Sequence, residues 1–384
     1  MINYRVSSLN KSTTLKITAL TKKLIKEGKD VVNFAAGEPD FDTPDYIKEA
    51  AIKAIKEGFT KYTPSAGTPE LREQIAKKLR DDNGLEFSGD NVIVTAGAKY
   101  ALFAAILTLM NLDDEAIIPA PYWVSYPEMV NLAAGQSKFL FTSQENNFKI
   151  KIQDLEKAIT PKTKVLFLNY PNNPSGAVYS YPELNAIYDL IRNKNIFVIS
   201  DEIYEALTYD DHKHISFASI GDARKFTVTI NGFSKAFSMT GWRVGYLAAE
   251  DYIIKEASKI IDHTTSCASS VSQKAALAAL SDKKWPVEIK KEFQKRRDLL
   301  WKGLSESNLL SVIRSEGTFY MFCDVRKTGL SSFEFATRLL EESLVSCVPA
   351  DAFGQEGFIR FSFATGLENI EKGINRIKEF LNKI

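Results

Sequence analysis

A single lysine, Lys235, lies in the stretch "SKAFSMTGWRVGY" (234–246) among Ala236, Phe237, Met239 and Trp242, with Arg243 eight positions on. A lysine in such company either snorkels or works. An amine in an apolar pocket loses solvation, so its pKa falls and it becomes a nucleophile that forms a Schiff base with an aldehyde. Two other apolar runs also lead into polar clusters. "VLFLN" (165–169) runs into "YPNNPSG", which holds Asn172 and Asn173 between prolines, and "IFVIS" (196–200) runs into "DEIY", with Asp201 and Tyr204. "FTVTI" (226–230) is the run that leads to Lys235. Spacings of about 30 residues match one strand–helix–strand crossover per step.

In an open α/β sheet, ligands bind beyond the carboxyl ends of the strands. An amide, a carboxylate, a phenol and an amine therefore converge there. A buried Asp201 needs a cation, and a protonated pyridine nitrogen is a suitable one that turns its ring into an electron sink. Tyr204 and Asn173 can hydrogen-bond a ring phenolate. Arg243 offers a bidentate fork to a phosphate, and Gly97 and Ala98, at a strand-to-helix turn, offer it backbone N–H groups. Every functional group of pyridoxal 5′-phosphate thus has a candidate partner. Taken singly, each residue has a plain structural explanation: a snorkelling lysine, an aspartate in a turn, an asparagine pair in a turn, an arginine in an ion pair. Their order on successive strand ends is what points to chemistry.

The elements that must position these residues follow from periodicity. Thr68 as N-cap, Pro69 at the first position, a stripe of Leu71, Ile75 and Leu79, and a stop at Gly84 predict a helix over 68–84. Residues 91–110 read as strand, small-residue turn and buried helix, 182–193 as a helix, and 31–37 as a strand ending in glycine. Continuous apolar runs alternating with helices predict an α/β fold with a mainly parallel sheet covered on both faces. From about residue 285 a long charged amphipathic helix precedes "GTFYMFCDV" (317–325) and "GFIRFSFA" (357–364), which alternate like antiparallel strands. The expected division is an N-terminal arm with part of a small domain (1–45), a large cofactor-binding domain (46–284) and a small α+β domain (285–384).

Composition excludes several classes. The 384 residues are 45% hydrophobic, with 49 basic and 48 acidic residues and a net charge of +1, which points away from nucleic acid or an anionic membrane as partner. Three cysteines and three histidines without a CxxC suggest reduced thiols and no zinc site. His212 and His214, in "YDDHKH", read as a solvated loop. No signal peptide and no membrane span is expected, which leads to a cytoplasmic protein.

The ordered segments "GEPDFDTP", "YTPSAGTPELR", "PYWVSYPEM", "NYPNNPSG", "SDEIYE", "SKAFSMTGWRVGY" and "IRFSFAT" cover nearly the whole chain and resemble class I aminotransferases of the fold-type I pyridoxal-phosphate superfamily. The subgroup it most resembles holds bacterial aspartate and aspartate/glutamate–prephenate aminotransferases. The resemblance implies that Lys235 carries the cofactor and shuttles a proton, that Asp201 pairs with the pyridine nitrogen, and that Tyr204 and Asn173 hold the ring oxygen. It further implies that Trp123 stacks on the ring and that Arg360, with the backbone of Gly37, holds the substrate α-carboxylate. Lys99 would meet a distal carboxylate. Tyr62 would reach the phosphate across the interface of a homodimer with shared sites. Lys11 matches a lysine linked to prephenate use. Many members carry a serine three residues before the lysine; here that position is Gly232, and Ser234 offers the nearest hydroxyl. The implied reaction is L-aspartate + 2-oxoglutarate ⇌ oxaloacetate + L-glutamate. The alternatives are an aminotransferase for prephenate or for aromatic or neutral amino acids, a carbon–sulfur lyase, and a cofactor-sensing regulator, which would need a basic DNA-binding module of ~70 residues for which the chain has no room.

Overall fold

The computed structural model describes residues 2–9 and 14–384. The strand read over 31–37 shrinks to Val32–Asn33 (β1). Seven strands then form the central sheet: Val92–Thr95 (β2), Glu115–Ala120 (β3), Gln136–Phe141 (β4), Thr163–Asn169 (β5), Phe197–Asp201 (β6), Thr227–Gly232 (β7) and Gly245–Ala248 (β8). Their order is β2-β8-β7-β6-β5-β3-β4. All neighbours run parallel except β8, which is antiparallel to β2 and β7. β2, β7 and β8 are buried along their whole length; β2 and β8 are mainly apolar, while β7 buries Thr227, Thr229 and Asn231 between its apolar residues. In the register of β5 and β6, Asn169 lies beside Asp201, so the polar clusters after both strands open at one edge of the sheet.

The helix expected over 68–84 spans Pro69–Asn83, with Leu71, Ile75 and Leu79 buried and Gly84 closing it at φ 68°. Thr68 holds the N-cap position, but its side chain caps nothing; its N–H donates to Gln273 Oε1 at 2.8 Å. The helix Ala98–Leu109 buries Ala101, Leu102, Ala104, Ala105, Ile106 and Leu109 and packs on the sheet. Tyr181–Ile191 accounts for the helix expected over 182–193.

The C-terminal region begins with the helix Lys284–Ser305. It is followed by Ser311–Val312 (β9), Tyr320–Asp324 (β10), Val345–Ser346 (β11), Val348–Pro349 (β12) and Phe358–Ser362 (β13). A four-stranded antiparallel sheet has the order β12-β13-β10-β9. β1 pairs in parallel with β11, and Phe34 and Val32 share an apolar cluster with Phe293, Phe319 and Phe361. β10 and β13 are not half-exposed strands. Phe361 meets Phe34 at 6.1 Å while Phe358, on the opposite face, meets Phe148 at 5.4 Å, so both faces of β13 are covered.

The loop of "YDDHKH" also differs from its reading. His212 is exposed, but the His214 side chain is buried, with Nε2 2.8 Å from Glu202 Oε2. Glu202 is itself fully buried and accepts from Ser200 and Ser216, so the imidazole completes the shell of a buried carboxylate. Among the described residues no helix is long and apolar enough to cross a membrane.

Candidate active site

A cavity of about 510 Å³ opens beyond the carboxyl ends of β5, β6 and β7, with β13 on its far wall. Gly37, Ala98, Lys99, Trp123, Asn173, Asp201, Tyr204, Ser234, Lys235, Arg243 and Arg360 all line it. Gly97 sits behind Arg243. Tyr62 stands apart and is 90% exposed. Lys11 lies outside the described residues.

Lys235 follows β7, and its Nζ donates to the carbonyl of Gly37 at 2.6 Å. The rings of Tyr204 and Phe319 lie 5.9 and 5.7 Å from the amine. Lys235 is half-buried and lines the cavity, with protein packed closely around its amine. That desolvation lowers its pKa to about 8, against the pull of Glu38.

Asp201 ends β6 and is 4% exposed. The Tyr126 hydroxyl donates to its Oδ2 at 2.6 Å, and the Ile203 N–H reaches Oδ1 at 3.3 Å. Burial raises its pKa to about 6, and the Tyr126 hydrogen bond opposes that rise. The Tyr204 hydroxyl is 3.0 Å from that of Tyr320, and burial holds its phenol well above the ordinary value.

Arg360 extends from β13 between the rings of Tyr320 and Phe353, at 4.1 and 5.1 Å. Its Nη1 donates to Asn173 Oδ1 at 2.9 Å, which fixes that amide's orientation. Its Nε is buried and has no hydrogen-bond partner among the described residues. A planar fork with an unused N–H beside the cavity suits a carboxylate. Lys99, in the first turn of its helix, lies 4.8 Å over the Trp123 ring. Burial, then the nearby Arg243, lowers its pKa, and no carboxylate among the described residues pairs with it.

The turn at Gly97 and Ala98 is built by glycines. Gly97 has φ 84°, and a Cβ there would come within 2.6 Å of Arg243 Nη2. A Cβ on Gly245 would lie 2.4 Å from the Ala98 nitrogen, and one on Gly232 would lie 2.9 Å from Gly245 Cα. The departure from the family's serine at position 232 therefore has a steric reason: the β7–β8 pair closes over that position. Ser234 is buried and lines the cavity instead. Arg243 and Ser238 both hold φ 52°, a left-handed conformation that costs a non-glycine residue on the order of 1 kcal/mol and clusters at functional sites. The residues fit pyridoxal phosphate. There is an amine for its aldehyde, a buried carboxylate for its ring nitrogen, and a glycine cradle with an arginine for its phosphate.

Sequence reasoning missed Tyr126, Tyr320 and Glu38. Tyr126 had a signal, standing three residues after Trp123 within "PYWVSYPEM" at a helix start. Tyr320 was hidden in a run that reads as strand core.

The profile of the family described as Aminotransferase class I and II matches residues 29–377. The chain belongs to the class I and II aminotransferases. This aminotransferase is 44% identical over 386 residues to the aspartate aminotransferase of Bacillus subtilis, covering 99% of this chain and 98% of that one. It is 42% identical to the probable aspartate/prephenate aminotransferase of Aquifex aeolicus, with 99% and 98% covered. Its fold matches that of the aspartate aminotransferase from Thermus thermophilus with maleate at a TM-score of 0.94, with 39% identity and 99% of both chains covered. The resemblance read in the sequence holds for the family and for the α/β fold.

Proposed function

We propose that this aminotransferase transfers the amino group of L-aspartate to 2-oxoglutarate, using pyridoxal phosphate held at Lys235. One observation carries the reading: a single cavity presents one desolvated amine together with three further cations, Lys99, Arg243 and Arg360. Three cations answer three anions, namely a phosphate, an α-carboxylate and a distal carboxylate. The relatives named as aspartate aminotransferases support it, as does the Thermus protein's structure with maleate, a dicarboxylate.

In this reading Arg243, the Gly97–Ala98 turn and Ser234 bind the phosphate, and Asp201 holds the ring nitrogen's proton. Tyr204 and Asn173 hydrogen-bond the ring oxygen, while Trp123 packs on the ring's face. Bound there, the cofactor supplies an electron sink for the carbanion left when Cα loses its proton. Arg360, through its fork and the free Nε–H, orients the α-carboxylate, with the Gly37 backbone beside it. Lys99 meets the distal carboxylate. Lys235 Nζ would take the proton from Cα; an amine titrating near 8 exchanges protons readily at neutral pH. Tyr62, exposed on one chain, serves the phosphate of the other in a homodimer, and the protein works in the cytoplasm.

The test is oxaloacetate formation from L-aspartate with and without 2-oxoglutarate. Turnover that requires the 2-oxo acid supports transamination. With L-cystathionine in place of aspartate, steady release of homocysteine, pyruvate and ammonia without a 2-oxo acid would mean a carbon–sulfur lyase, and binding without turnover of either substrate a regulator. The name carried by the Aquifex relative favours prephenate as a second amino acceptor, tested by replacing oxaloacetate with prephenate in the reverse direction.

A further inference from the structure

Asp201 is a carboxylate almost without water, and burial alone favours its neutral form. A neutral acid cannot hold a proton on a neighbouring ring nitrogen. Something must keep it ionised. Four titratable groups face it: Tyr126 from the helix Ser125–Leu132, Lys235 after β7, and Glu202 and Tyr204 from its own segment. Glu202 opposes ionisation. Lys235 favours it, but that amine is committed to other work. Tyr126 remains.

Tyr126 is built for one contact. It is 1% exposed, and its hydroxyl donates to Asp201 Oδ2 at 2.6 Å, a short distance of the kind charge-assisted hydrogen bonds show. Its ring meets Trp123 edge-on at 5.4 Å and lies tilted against Phe167 at 4.9 Å. Its N–H donates to the carbonyl of Trp123 at 3.1 Å, so one turn presents the indole to the cavity and the phenol to the carboxylate behind it. Burial beside Asp201 also holds the phenol well above its ordinary pKa, so it stays a donor through the working pH range.

We propose that Tyr126 is a positioning residue for the reaction: its hydroxyl holds the Asp201 carboxylate ionised and in one orientation toward the cofactor's ring nitrogen. This rests on the reading that Asp201 is that nitrogen's partner. The spacing of Trp123 and Tyr126 then has a single purpose, since one helical turn fixes the ring's face and, through Asp201, its charge.

The experiment compares wild type, Tyr126→Phe and Asp201→Asn by two readouts. Infrared titration of the cofactor-free protein follows the carboxyl band that Asp201→Asn removes. Nitrogen NMR of holoenzyme carrying ¹⁵N-labelled pyridoxal phosphate reports whether the ring nitrogen is protonated at pH 7.5. Tyr126→Phe should move the carboxyl midpoint up by about one pH unit or more, shift the ring nitrogen toward its unprotonated signal, and lower kcat about 10- to 100-fold with little change in KM. Loss of activity with both spectroscopic signals unchanged would overturn the proposal while leaving Asp201 as the partner. A ring nitrogen indifferent to Asp201→Asn would overturn the assignment of Asp201 and the proposal with it.

Discussion

At the scale of single residues, two groups in this site carry charge against their surroundings. Lys235 titrates near 8 because it is desolvated, and only the neutral amine attacks an aldehyde. The rate of pyridoxal phosphate uptake by the cofactor-free protein should therefore rise with pH to a plateau with a midpoint near 8. Stopped-flow absorbance checks this, and a rate still climbing through pH 10 would mean an unperturbed amine. Asp201 is shifted the other way, from 3.8 to about 6. A folded-state pKa raised above the unfolded value gives stability that is present at low pH and lost as pH rises through 6. Two units correspond to roughly 3 kcal/mol. Asp201→Asn should thus raise the melting temperature of the cofactor-free protein by a few degrees at pH 7.5, with the gain shrinking as pH falls toward 4, while activity collapses. Lys99 has no ion pair with a carboxylate among the described residues. Removing one charge-assisted contact costs roughly 1.5–3 kcal/mol, so Lys99→Ala should cut kcat/KM for aspartate and glutamate about 10- to 150-fold and leave phenylalanine nearly unchanged. Equal losses for all three substrates would assign Lys99 to the phosphate or to packing.

At the scale of elements, the site is a product of strand ends and one glycine-lined turn. The strand ends were legible: β5 and β6 carry apolar runs, β7 alternates aliphatic residues with Thr227, Thr229 and Asn231, and residues at or after their ends line the cavity. The turn was legible only in part. Nothing in the sequence announces that Gly232, Gly245 and Gly97 stack against one another, because β8 is four residues long and its pairing with β2 and β7 is non-local. Strands of two residues, such as β1, β9, β11 and β12, carry no periodicity to read. His214 was misread for a related reason: a polar run was taken as solvated, yet the chain folds its imidazole onto Glu202. Gly245→Ala tests the turn. Its new Cβ would meet the Ala98 nitrogen at 2.4 Å, so the turn must shift. The dissociation constant for pyridoxal phosphate should rise at least about tenfold, with overpacking costing about 1–3 kcal/mol of stability in denaturant. Unchanged cofactor affinity would detach the phosphate from this turn.

At the scale of the whole molecule, the chain returns on itself to close the cavity. β1 pairs with β11, the segment after it brings Gly37 to Lys235, and β13 supplies Arg360 from the far end of the sequence. The runs read as alternating antiparallel strands, β10 and β13, are covered on one face by the N-terminal segment and on the other by Phe148. The four cations that define the cavity's chemistry are thus gathered from the start of a helix, the β7–β8 loop and a strand, none near another in sequence save Lys235 and Arg243. What these cations are for is a question of which amino acid gives up its nitrogen. The most direct measurement is a half-reaction: protein loaded with pyridoxal phosphate is mixed with L-aspartate in the absence of any 2-oxo acid, and cofactor absorbance and products are followed together. The account predicts loss of the loaded cofactor's absorbance with one oxaloacetate per site and no further turnover, then recovery and one glutamate per site when 2-oxoglutarate is added. Continued product release without a 2-oxo acid, or a cofactor that responds to neutral amino acids and not to aspartate, would contradict it.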